Sequence, residues 1–325
     1  MTLSRFSSVA VLGALMLVLP ALPRAQNAPS PYFQVSTLPI SVDGRGLQSF
    51  AYDPGTDRLY VASDYAVFRT DPKAANPRLD EIARRRFGRI EIAPDLGRLF
   101  FLGINEVGYI DVTSGAPEAV RIASLDAPVD LAYEPTRQEL YVSTFRGPVR
   151  VFDARSSEPG ASIEVPGWTA ASLEAVPGRV FLTVDAKGGL FSIDAAARRI
   201  EPWPVIGRIS APAYLDADPE GRYLFMAYER EMVAIDVAKA TVIGRVVTAM
   251  TPAIAFDPET RLLIATWNDD PPPTRVVAYE VSERGLREVA QLRNPAIGRS
   301  GLEPIYGGFV QRGVRDLIVW GRRSE

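Results

Sequence analysis

One phrase recurs along this chain, and its spacing limits what the chain can become. "AYDPGTDRLYV" (51–61) returns as "AYEPTRQELYV" (132–142) and again as "AFDPETRLLIA" (255–265). The prolines that end each first apolar run are Pro54, Pro94, Pro135, Pro177, Pro219 and Pro258, at steps of 40, 41, 42, 42 and 39 residues. A second marker, the acidic residue closing a later apolar run, falls at Asp71, Asp111, Asp153, Asp194, Asp236 and Glu280, at steps of 40, 42, 41, 42 and 44. Two markers that keep one period define a repeat protein, in which each unit buries its apolar faces against its neighbours.

Within a unit the apolar runs are short and bounded by turn residues, the pattern of antiparallel β-structure. The third unit divides into "VDLAY" (Val129–Tyr133), "ELYVST" (Glu139–Thr144), "PVRVFD" (Pro148–Asp153) and "ASIEVP" (Ala161–Pro166). Four antiparallel strands in roughly 40–45 residues make a β-propeller blade. Six such units run from about Gly46 to Leu292; a seventh begins with "PIYGGFVQ" (304–311) and "RDLIVWG" (315–321) and stops. The N-terminal "YFQVSTLPI" (32–40) is a spare strand. Pairing it with the C-terminal strands removes exposed sheet edges. The expected fold is all-β: a seven-bladed β-propeller of four-stranded antiparallel blades, closed by the N-terminal strand pairing with the C-terminal blade. That last blade is expected to be the thinnest, with three strands. The alternative is six blades plus a terminal extension.

"RLYVAS" (Arg58–Ser63) and "ELYVST" (Glu139–Thr144), each following an Asp-Pro or Glu-Pro turn, resemble the YVTN-type repeats of seven-bladed bacterial propellers. The resemblance covers nearly all of the chain beyond its first thirty residues. It implies the fold and an extracytoplasmic setting, and no single activity. Proteins of similar fold include periplasmic dehydrogenase subunits and lactonases. The Trp-Asp dipeptide of WD40 repeats is absent.

Ahead of the repeats, Arg5 precedes an apolar stretch from Val9 to Leu22 that is broken by Pro20 and followed by Ala21, Ala25 and polar Gln26-Asn27. This is the layout of a cleaved secretory signal. The expected organisation is a signal peptide at 1–25, a linker at 26–31 and a single propeller domain at 32–325. The alternative, an uncleaved anchor, is disfavoured because the apolar run falls short of the roughly 20 residues that span a bilayer. The expectation is a periplasmic or secreted bacterial protein, monomeric, with no membrane insertion after cleavage. A net charge of −3 makes no case for nucleic acid binding, and only three of the 36 basic residues are Lys.

Two absences bound the chemistry. Without Cys there is no disulfide, thiolate nucleophile, iron–sulfur cluster or c-type haem, and without His there is no Ser-His-Asp triad or imidazole metal site. Carboxylate, Tyr, Lys, Arg and oxygen-liganded cations remain.

In a propeller the turns between strands one and two and between three and four share one face. The turns between strands two and three share the other with the blade connections and the channel mouth, where ligands usually bind. The repeated features sit on the first face. Asp53-Pro54, Glu134-Pro135, Asp218-Pro219 and Asp257-Pro258 read as turn builders, and Arg58, Arg98, Arg179, Arg222, Arg261 and Arg315 as strand-two starts that pair with nearby carboxylates or extend to solvent. The non-repeating polar residues mark the second face, notably in "NDDPPPT" (268–274) and "RNPAIGRSGLEP" (293–304). The ligand-binding candidates are Arg45, Arg89, Glu106, Arg146, Arg208, Glu229, Asn268, Asp269, Asp270 and Arg299. Interleaved Arg and carboxylate suit a polar anionic ligand held by charge-assisted hydrogen bonds. Glu106, Glu229 and Asp269 are the candidate oxygen donors for a divalent cation.

The expected function is an extracytoplasmic propeller that binds a protein partner or small polar ligand as a scaffold, with no catalytic residue and no cofactor. One alternative is a lactonase-like hydrolase dependent on Ca2+. Another is the propeller subunit of a periplasmic redox enzyme. A deep channel mouth with three or more converging carboxylates favours an enzyme; a flat rim favours binding.

Overall fold

The marker prolines and acidic residues bound real strands. A computed structural model describes residues 32–39, 47–74, 76–166, 170–184, 189–206, 214–248, 252–267, 275–293, 297–305, 308–313 and 316–322. Among these residues there are strands and turns but no helix.

The first strand is β1 (Tyr32–Pro39). Blade 1 follows as β2 (Leu47–Asp53), β3 (Arg58–Ser63), β4 (Ala66–Thr70) and β5 (Asp80–Arg84). Blade 2 is β6 (Ile90–Ala93), β7 (Arg98–Leu102), β8 (Glu106–Asp111) and β9 (Ala119–Ser124). Blade 3 is β10 (Pro128–Glu134), β11 (Glu139–Thr144), β12 (Val149–Asp153) and β13 (Pro159–Ile163). Blade 4 is β14 (Ala170–Val176), β15 (Arg179–Val184), β16 (Gly189–Asp194) and β17 (Arg199–Trp203). Blade 5 is β18 (Tyr214–Ala217), β19 (Tyr223–Tyr228), β20 (Glu231–Asp236) and β21 (Thr241–Val247). Blade 6 is β22 (Ala253–Asp257), β23 (Leu262–Trp267), β24 (Arg275–Ser282) and β25 (Gly285–Arg293). The last strands are β26 (Ile297–Ile305), β27 (Gly308–Gly313) and β28 (Asp316–Arg322). Each blade is a four-stranded antiparallel sheet in chain order. A further sheet has the order β1-β28-β27-β26, so the two ends of the chain share one ladder, with Thr37 opposite Ile318.

The repeated carboxylates build turns, as expected. Asp53 accepts hydrogen bonds from Gly55 N (2.9 Å) and Thr56 Oγ1 (2.6 Å). Glu134 accepts from Thr136 N and Arg137 N, both at 2.9 Å. The turn ends on a residue with positive φ: Asp57 (57°), Gln138 (55°) and Arg261 (56°) each stand three places after the marker proline. A four-residue turn closing in the left-handed region keeps a hairpin tight. The acidic residues at the ends of the third strands cap the next turn. Asp111, for example, accepts from Thr113 N (2.9 Å) and Asp153 from Arg155 N (2.9 Å). The strand-two arginines divide. Arg58 pairs with Asp71 at 3.0 Å and Arg222 with Asp218, whereas Arg98 stacks 4.1 Å over the Tyr109 ring and Arg179 4.5 Å over Trp203.

Middle strands read as near-continuous apolar runs because both faces of each sheet are covered. β11 and β19 are buried at every position, whereas outer strands such as β17 are mostly exposed. The cores lie between blades. Tyr141, Val149 and Val151 of blade 3 pack with Leu182, Phe191 and Ile193 of blade 4, and similar clusters join blades 1 and 2, 2 and 3, 4 and 5, and 5 and 6.

One expectation is corrected. The segment 293–304 was expected as a blade connection and the last sheet as three-stranded, but Ile297–Ile305 forms β26, a fourth strand. It pairs with β27 across a register shift between Ile297 and Leu302, and lies beside β22 and β2. Its "IGRSGLEPI" has no period-2 alternation. Neighbouring strands impose the conformation where local propensity does not.

Candidate functional site

The first strands deliver side chains to the centre of the molecule. In each of them the residues one, three and five places before the marker proline share a strand face. That face is turned to the next blade, as four contacts show. Ile90 N donates to Ser49 Oγ (3.2 Å), Leu173 N to Asp130 Oδ2 (2.9 Å), Phe256 N to Asp216 Oδ2 (2.5 Å) and Gly178 N to Glu134 Oε1 (2.8 Å). The first strands of adjacent blades do not share a ladder. Their inward N–H groups therefore need side-chain acceptors.

Three places before the marker proline, this face carries Ala51, Glu91, Ala132, Glu174, Asp216 and Ala255; two residues nearer the mouth it carries Arg89 and Asp130. Arg89 Nε donates to Asp130 Oδ1 at 2.8 Å. Asp130 is 5% exposed while Arg89 keeps 50% of its side-chain surface open to the channel. Burial pushes the Glu91 carboxyl up to about 8, opposed by Arg89 and reinforced by Asp130 and Asp216. Burial also raises Glu174 well above the ordinary carboxyl value, with Asp216, Glu91 and Asp130 adding repulsion. Asp216 is raised by burial against the pull of the Phe256 and Ala217 N–H groups. Glu91 is in blade 2 and Asp216 in blade 5, yet each charge acts on the other's neighbourhood. These carboxyls therefore face one another across the centre. All three side chains are half-buried.

Four of the expected site residues have described surroundings. Arg89 stands at the channel mouth, paired with Asp130. Glu106 opens β8 and accepts from Arg85 Nη2 at 2.6 Å, pinning blade 2 to the exit of blade 1. Arg146, at φ 61°, lies 5.1 Å from the Phe145 ring in the β11–β12 turn. Glu229, at φ 46°, lines an open depression of about 540 Å³ with Tyr228, Glu231, Arg245 and Val247. There Tyr228 Oη donates to Glu231 Oε2 at 2.8 Å, and Arg245 pairs with Glu231. Arg299 lies on β26. Arg45, Arg208, Asn268, Asp269 and Asp270 lie outside the described residues. The four candidates with described surroundings thus stand on blades 2, 3 and 5, and of these only Arg89 joins the central carboxyls.

Glu91, Asp130, Glu174 and Asp216 fall outside the sequence-based candidates because those come from the turns between second and third strands and from the blade connections, and these four sit within first strands. A signal was present. Glu91, Glu174 and Asp216 each stand three residues before a marker proline where the other units have Ala. A cation placed among these carboxyls would favour their ionised form. Asp130 and Asp216 spend oxygens on backbone N–H groups, and among the described residues no group of three acidic side chains could hold a metal ion. The channel therefore has converging carboxyls without the compact oxygen set that a bound cation requires.

No protein-family model matches the chain, and no curated protein matches it. Solved structures do. A chain of the mitotic checkpoint complex is similar with a TM-score of 0.68 at 14% identity, covering 94% of this chain and 100% of that one. The structure of U3-55K gives 0.71 at 10% identity, covering 89% and 98%. Kuenenia stuttgartiensis hydrazine synthase gives 0.68 at 16% identity, covering 88% and 97%. At these identities the likeness concerns the fold, which is of the β-propeller, WD40-like kind with four-stranded antiparallel blades.

Proposed function

We propose that this chain is an extracytoplasmic propeller of the YVTN kind that works as a binding scaffold and performs no chemistry of its own. The sheet β1-β28-β27-β26 is its seventh blade, and the pairing of β1 with β28 closes the ring; β26 lying beside both β2 and β22 supports this. The observation that carries the binding function is an exposed apolar arc. Tyr65, Ile104 and Phe145 occupy the β3–β4, β7–β8 and β11–β12 turns of three successive blades and are 43%, 62% and 51% exposed. Apolar residues repeated on one rim, where turns are otherwise polar, mark an interaction surface. The similar structures in the mitotic checkpoint complex and U3-55K are consistent with a scaffold.

The test uses the full chain in its native host. The mature protein is expected in the periplasmic or secreted fraction, starting at Gln26 once residues 1–25 are removed. It is expected to retain a protein partner that a Tyr65→Ser/Ile104→Ser/Phe145→Ser variant loses. Hydrolysis of a lactone or ester panel that disappears in Glu106→Gln or Asp269→Asn would overturn the scaffold function in favour of a hydrolase.

A further inference from the structure

The apolar arc and the central carboxyls belong to one continuous surface. Arg85 N donates to Tyr65 O at 2.8 Å while the Arg85 side chain reaches Glu106, so the turns of blades 1 and 2 are joined. Leu125 N donates to Asn105 O and Phe145 N to Ala127 O, both at 2.9 Å, so the blade 2–3 connection ties the second turn to the third. The same segments run into the channel. Leu102, two residues before Ile104, donates to Arg89 O at 2.9 Å, and Ala127 is three residues before Asp130.

Acidic groups outnumber basic ones at the centre of this surface, where Glu91, Asp130, Glu174 and Asp216 share a strand face with Arg89. Arg89 lowers both Glu91 and Glu174, and its Nε donates to Asp130 Oδ1. Glu91 and Glu174 accept no hydrogen bond from a described residue, and each is repelled by the other carboxyls across the channel. Tyr214, 49% exposed, lies on the strand face of Asp216 two residues nearer the mouth, and its ring can take an ammonium or guanidinium group. The carboxyls are too dispersed to hold a metal ion, but an extended organic cation bridges such a spacing.

We infer that the channel mouth and the Tyr65–Ile104–Phe145 arc form one docking surface for a protein segment carrying a lysine or arginine between apolar side chains. The apolar side chains cover the arc, and the cation enters the channel to meet Glu91 and Glu174. This rests on the scaffold function proposed above and names the chemistry of its partner. A free amine would satisfy the channel and leave the arc uncovered.

The experiment selects a random 12-residue phage-displayed peptide library on the full mature chain and measures the enriched peptides by fluorescence anisotropy. Enriched peptides are expected to carry Lys or Arg beside aliphatic or aromatic residues. They should bind at least tenfold more weakly to Glu91→Gln/Glu174→Gln and to Ile104→Ser/Phe145→Ser. The Gln changes relieve repulsion and the Ser changes are on exposed turns, so both variants are expected to melt as cooperatively as the parent. Peptides that lack a basic residue, or that bind both variants like the parent, overturn this surface and leave the protein a binding scaffold. So do peptides lost only on Val247→Asp, beside the Glu231 depression. Spermidine binding as tightly as the peptides, without dependence on Phe145, makes the channel a small-amine site and overturns docking. If no peptide is enriched and no partner is retained in the native host, both proposals fall.

Discussion

Glu134 shows how one residue type does two jobs in this chain. It is fully buried, closes its own turn through Thr136 N and Arg137 N, and reaches Gly178 N of the next blade. Glu91, four strands earlier in the chain, is also a first-strand carboxylate, but it accepts no hydrogen bond from a described residue and is pushed up to about 8 by burial. The contrast has a measurable sign. A carboxyl whose value is about 4 in the unfolded chain and higher in the folded one binds more protons when folded between those values. Its stabilising contribution is complete below about pH 4 and is lost as the pH rises through the folded value. Asp111, Asp153 and Asp236 act in the opposite sense. Hydrogen bonds from Thr113, Ser156 and Lys239 lower them, so their contribution is present above about pH 4 and lost on acidification below it. The sequence has no His, so no imidazole titration overlies the range between. At constant ionic strength the urea midpoint is expected to fall from pH 5 to pH 8. Glu91→Gln should flatten that slope, with Arg89, Asp130, Glu174 and Asp216 still facing the site. A midpoint that rises across this range contradicts the account of the channel.

Among the elements, the second strands are the most legible, and β26, the strand of its sheet that lies beside the first strands β2 and β22, the least. "ELYVST" was bounded correctly at both ends, and β11 is Glu139–Thr144, because a strand covered on both faces must be apolar throughout. β26 was missed because its residues carry no such pattern. Contacts between outer edges are equally invisible along the chain. Gly285, the first residue of β25, has φ 116°, and an added Cβ would lie 2.6 Å from Ile243 O of blade 5. Gly178 also has positive φ (79°), but its Cβ would meet nothing within 4 Å. Gly285→Ala should therefore cost about 2–3 kcal/mol, strain plus displacement of a neighbouring blade, against about 1 kcal/mol for Gly178→Ala. Equal losses in thermal or urea unfolding would show that blades 5 and 6 do not touch there.

For the whole molecule, the proposed closure by β1 is open to a direct chemical test because the chain contains no Cys. Thr37 and Ile318 are opposite one another across the β1–β28 ladder. A Thr37→Cys/Ile318→Cys variant is expected to oxidise within one molecule and gain about 2–4 kcal/mol, since the bond closes nearly the entire chain into a loop. Free thiols after oxidation, or disulfide-linked dimers, would contradict the pairing of the two ends.

The repeat period, the blade, the turn role of Asp53 and its equivalents, and the spare N-terminal strand were all determined by residue order. The first three depend on contacts within one unit of about 41 residues, where local pattern and local structure coincide, and the spare strand shows as a strand pattern left over outside those units. The channel was decided elsewhere. Glu91, Glu174 and Asp216 belong to blades 2, 4 and 5, and each looks locally like one polar residue in an apolar strand. Only when the sheets are arranged around a centre do the three carboxyls come close enough to repel one another and raise one another's proton affinity. Coulomb repulsion and desolvation depend on distance through space rather than on separation along the chain.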